Sequence, residues 1–255
     1  MFVRRDARHG PAYDVDIAFT DRWGGASTGL RATLDLSRPL ADAGSADHVN
    51  WSRLHSALGV DRLVGMRQVH GADVVLVSSS EASGLAASPP RCDALVTSAA
   101  EVALCVRAAD CVPVLLADVA RGVVGAAHAG RRGIAAGVLL ATVAVMRAQG
   151  GDRIEAWLGP HVCGRCYEVP AAMRAEVAMV TPAAFSTTAT GSAALDLGAA
   201  ATDQLVASGC SVVESATLCT MESDDLFSYR RQGPDGGRLA GIVVLHPAGT
   251  RRDLS

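Results

Sequence analysis

Apolar positions in this chain come mostly in short runs, each closed by Asp, Gly, Ser or Pro. The alternation in DVDIAFTD, residues 14–21, predicts a first strand, and the glycines and hydroxyls of RWGGASTG after it predict a turn or loop. SADHVNWSRLHSALG, residues 45–59, has a serine cap, apolar residues at helical spacing and a glycine stop, so it reads as a helix. LVGMRQVH and DVVLVS, residues 63–70 and 73–78, read as two short strands, and SEASGLAASPPR, residues 80–91, reads as a loop by composition. From Cys92 to Gly130 four runs follow one another: DALVTS, ALCVRAA, CVPVLLAD and GVVGAAHAG. They scarcely alternate, which predicts consecutive strands of one sheet buried on both faces.

A long helix is expected from Gly133 to Gly150, then a strand in RIEAWLG and a loop through PHVCGRCYEV. Two helices, in PAAMRAEVAMV and DLGAAATDQLVASG, and a final strand in RLAGIVVLH complete the pattern. Residues 218–238 are polar, glycine-rich and without period. No internal repeat, low-complexity linker or composition step divides the chain. The expectation is one α/β (α+β) domain over residues 1–255, an αβ sandwich with a mixed, buried sheet.

Composition narrows the chemistry. With 49% hydrophobic residues a large core is available, and no apolar run approaches the roughly 20 residues of a membrane span. MFVRRDARHG has arginines but no apolar stretch behind them, so no signal peptide is read and a cytoplasmic location is expected. A net charge of −3 with scattered arginines argues against nucleic acid and for a small-molecule partner. All 23 basic residues are arginine. The absence of lysine excludes Schiff-base chemistry and the phosphate-loop lysine motif.

Three residues with metal-ligand or nucleophile chemistry stand where apolar runs stop: His70 in RQVHGAD, Cys111 in AADCVP and His128 in AAHAGRRG. Two imidazoles and a thiolate suit zinc or copper with one position left open for water or substrate. The same residues suit a second arrangement, with Cys111 as nucleophile, His128 as base and Asp110 or a backbone group orienting the imidazole. Cys163 and Cys166 form the chain's CxxC, with no second CxxC to complete a zinc ribbon, and read as two loop cysteines with no shared role. Arg22, Arg67 and Arg230, with Ser228 and Arg231 in FSYRR, are candidates for a phosphate or carboxylate ligand.

These residues resemble the YfiH-type laccase-domain family, also described as peptidoglycan editing factors or polyphenol oxidase-like proteins. FTDRWGGAS, RQVHGADV, DALVT, AADCVPVLLAD, AAHAGRRG, WLGPHV, CYEV, LDL, CT and FSYRR carry the resemblance, in that family's order. It implies an αβ sandwich similar to the catalytic domain of cytotoxic necrotizing factor, and a metal set that falls on His70, Cys111 and His128. It further implies a zinc or copper enzyme with purine nucleoside phosphorylase, methylthioadenosine phosphorylase and adenosine deaminase activities. Substrate and phosphate contacts are then expected at Arg22, Arg67, Gln68 and Arg230, in a monomer or weak homo-oligomer. The family's editing role offers an alternative, hydrolysis that removes a misincorporated amino acid from a UDP-linked muropeptide precursor. Polyphenol oxidation ranks below both, because a multicopper site needs a separate histidine-rich cluster and the chain has seven histidines. Two departures stand out: Arg131 where the family usually has Trp after AHAG, and Asp35 in LDLS where it usually has Asn.

Overall fold

The computed structural model describes residues 1–38, 44–213 and 218–250. Among the described residues thirteen strands form: β1 Phe2–His9, β2 Tyr13–Thr20, β3 Arg62–Val64, β4 Val74–Leu76, β5 Ala94–Thr97, β6 Val102–Ala108, β7 Val112–Asp118, β8 Val123–Ala129, β9 Glu155–Leu158, β10 Phe185–Thr187, β11 Ala193–Leu195, β12 Ser211–Val212 and β13 Leu239–Pro247. The α-helices are α1 Ala46–Leu58, α2 Ala82–Ala87, α3 Arg131–Ala135, α4 Val138–Ala148, α5 Ala171–Val180, α6 Leu197–Ala207 and α7 Tyr229–Gln232. The strands make a five-stranded sheet in the order β1-β2-β13-β6-β3, a six-stranded sheet in the order β12-β9-β7-β8-β5-β4, and the hairpin β10-β11. Both large sheets mix parallel and antiparallel pairs.

The expected mixed α/β sandwich is present, but its centre is two sheets rather than one. β6 belongs to the first sheet, whereas its sequence neighbours β5, β7 and β8 belong to the second. Side-chain alternation explains how both sheets are covered on both sides. Val102, Leu104 and Val106 of β6 pack between the sheets against Leu115 and Ala117 of β7, with the buried Trp157 of β9. Ala103 and Cys105 face the other way, onto Trp51, Leu54 and Leu58 of α1. Val112, Val114 and Leu116 of β7 face Val138, Leu139 and Val143 of α4 and Leu197 and Leu205 of α6. Both faces of β6 and β7 therefore meet apolar atoms, which is why these runs show no polar–apolar alternation.

Local signals hold where they are chemical. Ser45 caps α1 by accepting from His48 N, and Gly59 ends it at φ 64°. Other expectations need correction. The long helix after Gly133 is two helices, because Gly137 takes φ 81° between them. Residues 80–91 contain α2, whose Ala82 is fully buried. β1 carries five charged or titratable side chains and still pairs with β2 from Phe2 to His9, antiparallel. The strand expected over residues 63–70 ends at Val64.

This topology sets up the site. The chain crosses from the first sheet to the second between β3 and β4 and again between β6 and β7. His70 lies on the first crossing and Cys111 on the second, immediately before β7. His128 is within β8, opposite Pro113 of β7.

Candidate active site

The three residues singled out at run ends meet in space. One side-chain donor atom from each of His70, Cys111 and His128 lies within 4.8 Å of the others. The two imidazoles stand edge to face with ring centres 4.7 Å apart, and Cys111 Sγ is 3.8 Å from His70 Nε2. His70 is exposed, Cys111 half-buried and His128 buried, so the group opens outward from the protein interior. His70 does not sit at a strand end, as expected, but in a turn at φ 61°. Asp110, beside Cys111, takes φ 89°. Both lie in the left-handed region, which histidine and aspartate tolerate better than most residues and which often marks functional positions.

Asp93 holds this arrangement. Its fully buried carboxylate accepts from the backbone amides of Val69, His70 and Gly71 at 2.7–3.2 Å and sits 2.9 Å from His128 Nδ1. Burial pushes its pKa up, but the hydrogen bonds from His128, Gly71 and His70 outweigh burial and hold it below the usual carboxylate value. One carboxylate thus fixes the turn that presents His70 and the orientation of the His128 ring. Sequence reasoning assigned the orienting role to Asp110 or a backbone group; the structure gives it to Asp93. Its only sequence signal was an aspartate opening the run DALVTS, which also reads as turn punctuation. The Asp110 carboxylate instead accepts from Thr220 Oγ1 and from Arg230 N, both at 2.6 Å.

The electrostatics follow from these contacts. Burial disfavours the Cys111 thiolate, yet hydrogen bonds and charge from His128 and His70 bring its pKa down to about 6. Burial likewise opposes the His128 imidazolium, but Asp93 and Cys111 raise it to about 9. These contacts favour the thiolate of Cys111 and the imidazolium of His128 over the neutral pair. Gly130 closes the site on a third side: an added Cβ would stand 2.9 Å from His70 Cδ2 and 3.0 Å from Cys111 Sγ. Its φ of −81° is ordinary, so glycine serves here for close approach and not for a turn.

The three residues lie in the wall of a cavity of about 930 Å³. Among the described residues, eight arginines line it, Arg31, Arg38, Arg67, Arg107, Arg131, Arg132, Arg230 and Arg238, against a single carboxylate, that of Asp110. Tyr167 and Tyr229 add aromatic surface. Of the expected ligand-binding residues, Arg67, Gln68 and Arg230 line the cavity and Arg22 does not. Arg22 Nε donates to Ala32 O at 2.6 Å and its guanidinium stacks on Phe227, which makes it a brace for the N-terminal loop. Gln68 exchanges two hydrogen bonds with the backbone of Arg107, at 2.7 and 2.9 Å, and so ties the first crossing to β6. Arg230 donates to Glu168 O at 2.9 Å and stacks on Tyr167. Arg231 is spent on the carbonyls of Met221, Ser223 and Leu226, and Ser228 caps α7. Asp35, where the resemblance predicts Asn, accepts from Arg238 N at 2.9 Å and lies 3.7 Å from Arg31 Nε, so its charge sits behind two of the cavity arginines.

Cys163 and Cys166, expected to share no role, lie together with Cys219 and Glu222 in a second cluster whose donor atoms are also within 4.8 Å of one another.

The chain is 47% identical over 249 residues to a protein named purine nucleoside phosphorylase from Streptomyces coelicolor, covering 96% of this chain and all of that one. It is 48% identical to a Streptomyces griseus protein of the same name, over 90% of this chain and 94% of the relative. Among solved structures it superposes on YlmD from Geobacillus stearothermophilus with a TM-score of 0.80 at 29% identity, covering 96% and 98% of the two chains. A Neisseria meningitidis protein, NMB0706, gives 0.79 at 33% identity, with 96% and 99% covered. Residues 16–246 match the family model described as multi-copper polyphenol oxidoreductase laccase, and the chain belongs to that family.

Proposed function

We propose that this protein is a metal-dependent purine nucleoside phosphorylase that acts on adenosine, inosine and methylthioadenosine with inorganic phosphate, and that it also deaminates adenosine. One observation carries the reading: two imidazoles and a thiol meet in the wall of a cavity lined by eight guanidinium groups and one carboxylate. The names of the Streptomyces relatives support the same chemistry.

The donor set fits a metal. Two nitrogens and one sulfur suit zinc, with copper as the alternative. His128 Nδ1 is engaged by Asp93, which leaves Nε2 as the ligand atom, and the missing Cβ at Gly130 keeps the space between the donors open. His70, Cys111 and His128 would hold the ion. It would supply Lewis acidity toward an oxygen of phosphate, water or substrate.

The remaining work falls to the protein's own side chains. Phosphorolysis brings a phosphate oxygen to the anomeric carbon of the ribose while the purine departs. The guanidinium groups of Arg67, Arg131 and Arg132 have no hydrogen bond or ion pair among the described residues and face this cavity, so they are free to bind and orient a phosphate dianion. Tyr167 and Tyr229 offer faces on which a purine can stack. Metal-replete protein incubated with inosine and phosphate is expected to release hypoxanthine and ribose 1-phosphate in equal amounts. Absence of both products overturns the phosphorylase reading, and ammonia release from adenosine tests the deaminase separately.

A second reading rests on the Cys111–His128–Asp93 relay. A thiol brought to about 6 beside an imidazole held by a buried carboxylate is an activated nucleophile, suited to hydrolysis of an amide in a muropeptide precursor. The two readings separate cleanly. A Cys111 nucleophile survives chelation and is killed by alkylation, whereas the metal reading predicts loss of activity to the chelator. Polyphenol oxidation has less support. His161 is bonded to Gly159 O, His9 to Asp14 and His246 to Glu101, and none of them joins His70 and His128.

A further inference from the structure

The CxxC at Cys163 lacks a second CxxC in the sequence, but the fold supplies a counterpart of the same shape. Cys219 and Glu222 form a C-x-x-E turn that faces the first. Both turns are closed in the same way: Cys166 N and Tyr167 N donate to Cys163 O at 3.0 Å, and Glu222 N and Ser223 N donate to Cys219 O at 3.2 and 3.1 Å. Cys163 N donates to Cys219 Sγ at 3.4 Å. Amides aimed at sulfur are what a turn offers when it holds thiolates around a cation. The two turns are laid side by side by a bridge between His161 and Cys219.

We infer that Cys163, Cys166, Cys219 and Glu222 form a second, structural zinc site, separate from the cavity centre. Four protein donors, three of them sulfur, make a closed tetrahedral set of the kind that selects zinc over hard cations. The spacing suits the ion. Zinc with ordinary bond lengths holds two sulfurs about 3.8 Å apart and a sulfur and an oxygen about 3.5 Å apart. Cys166 Sγ and Glu222 Oε1 are already 3.4 Å apart, and all four donors lie within 4.8 Å of one another. Three thiolates and a carboxylate around a divalent ion leave net negative charge, and Arg165 Nη2 stands 3.7 Å from Glu222 Oε1 to offset part of it.

The site would act as a clamp beside the cavity. Val162 N, next to Cys163, donates to Asp110 O at 3.1 Å, and Thr220, next to Cys219, donates to the Asp110 carboxylate at 2.6 Å. Joining the two turns therefore fixes, from both sides, the residue that precedes Cys111.

The test is zinc stoichiometry on the full, reduced chain, read with a chromophoric chelator. The wild type is expected to hold one more equivalent of zinc than Cys163→Ser/Cys166→Ser, whatever the occupancy of the cavity centre. Cobalt substitution gives a second readout. A strong sulfur-to-cobalt charge-transfer band is expected to survive in His70→Ala/His128→Ala and to vanish when Cys219→Ser is added to that variant. Because Glu222 is exposed, Glu222→Gln serves as a variant that folds, and its zinc affinity is expected to fall at least tenfold. Equal stoichiometry in the wild type and the double serine variant overturns the site. So does a disulfide among the three thiols that excludes zinc under reducing conditions.

Discussion

A single carboxylate and a single missing methyl group set the tolerances of the cavity centre. Asp93 takes three backbone amides and one imidazole in a fully buried position. Asp93→Asn places amide hydrogens where only acceptors fit, so unfolding in urea is expected to show a loss of about 2–3 kcal/mol. Zinc affinity is expected to fall by roughly 10–100-fold as the His128 ring loses its anchor. Gly130→Ala separates binding from stability in a different way. The backbone there suits alanine, but the new Cβ lies within 3.0 Å of the His70 ring carbon Cδ2 and of Cys111 Sγ. Zinc competition should show a loss of at least tenfold with a melting temperature near that of the wild type; unchanged affinity would refute the close-approach argument. His70, Cys111 and His128 were legible in the sequence because their chemistry is rare and each ends an apolar run. Asp93 was not, since its partners are mostly main-chain amides that leave no mark on composition.

At the scale of elements, the crossings between sheets matter more than the strands they join. The sequence showed a series of buried strands but not their division between two sheets, because β6 and β7 are equally apolar on both faces. Partition is decided by what covers each face: α1 on one side, α4 and α6 on the other. β1 stayed hidden for the opposite reason, since its charged side chains conceal a backbone that β2 alone satisfies. β13, at the middle of the first sheet, carries a titratable link. His246 Nε2 is 3.4 Å from Asp16 Oδ2 on β2, and Nδ1 is 2.9 Å from Glu101 Oε1 in the turn before β6. Asp16, opposed by burial and aided by Glu101, raises the His246 pKa above its ordinary 6.5. A raised pKa means that this stabilisation is complete below about pH 6.5 and fades as pH climbs through the folded-state value. Denaturant titrations across pH 6–9 are expected to show the wild type weakening with rising pH, while His246→Gln, less stable at low pH, shows a flatter profile.

For the molecule as a whole, the lysine-free composition has its clearest effect at the cavity, where eight arginines converge although the net charge is −3. The sequence offered arginines singly and could not say which would converge, because they come from segments as far apart as Arg31 and Arg238. Two substitutions tell the bracing arginines from the binding ones. Arg67→Ala is expected to raise the KM for phosphate about tenfold with little change in stability. Arg22→Ala should leave that KM alone and cost about 1–2 kcal/mol in denaturation, through loss of its carbonyl and Phe227 contacts. The same arginine lining also governs how reactants arrive. A concave patch of one sign draws oppositely charged solutes from a distance and ignores neutral ones, and salt weakens that pull. Anions should therefore be captured at a rate that drops as ionic strength rises, while an uncharged nucleoside enters at a rate that salt barely touches.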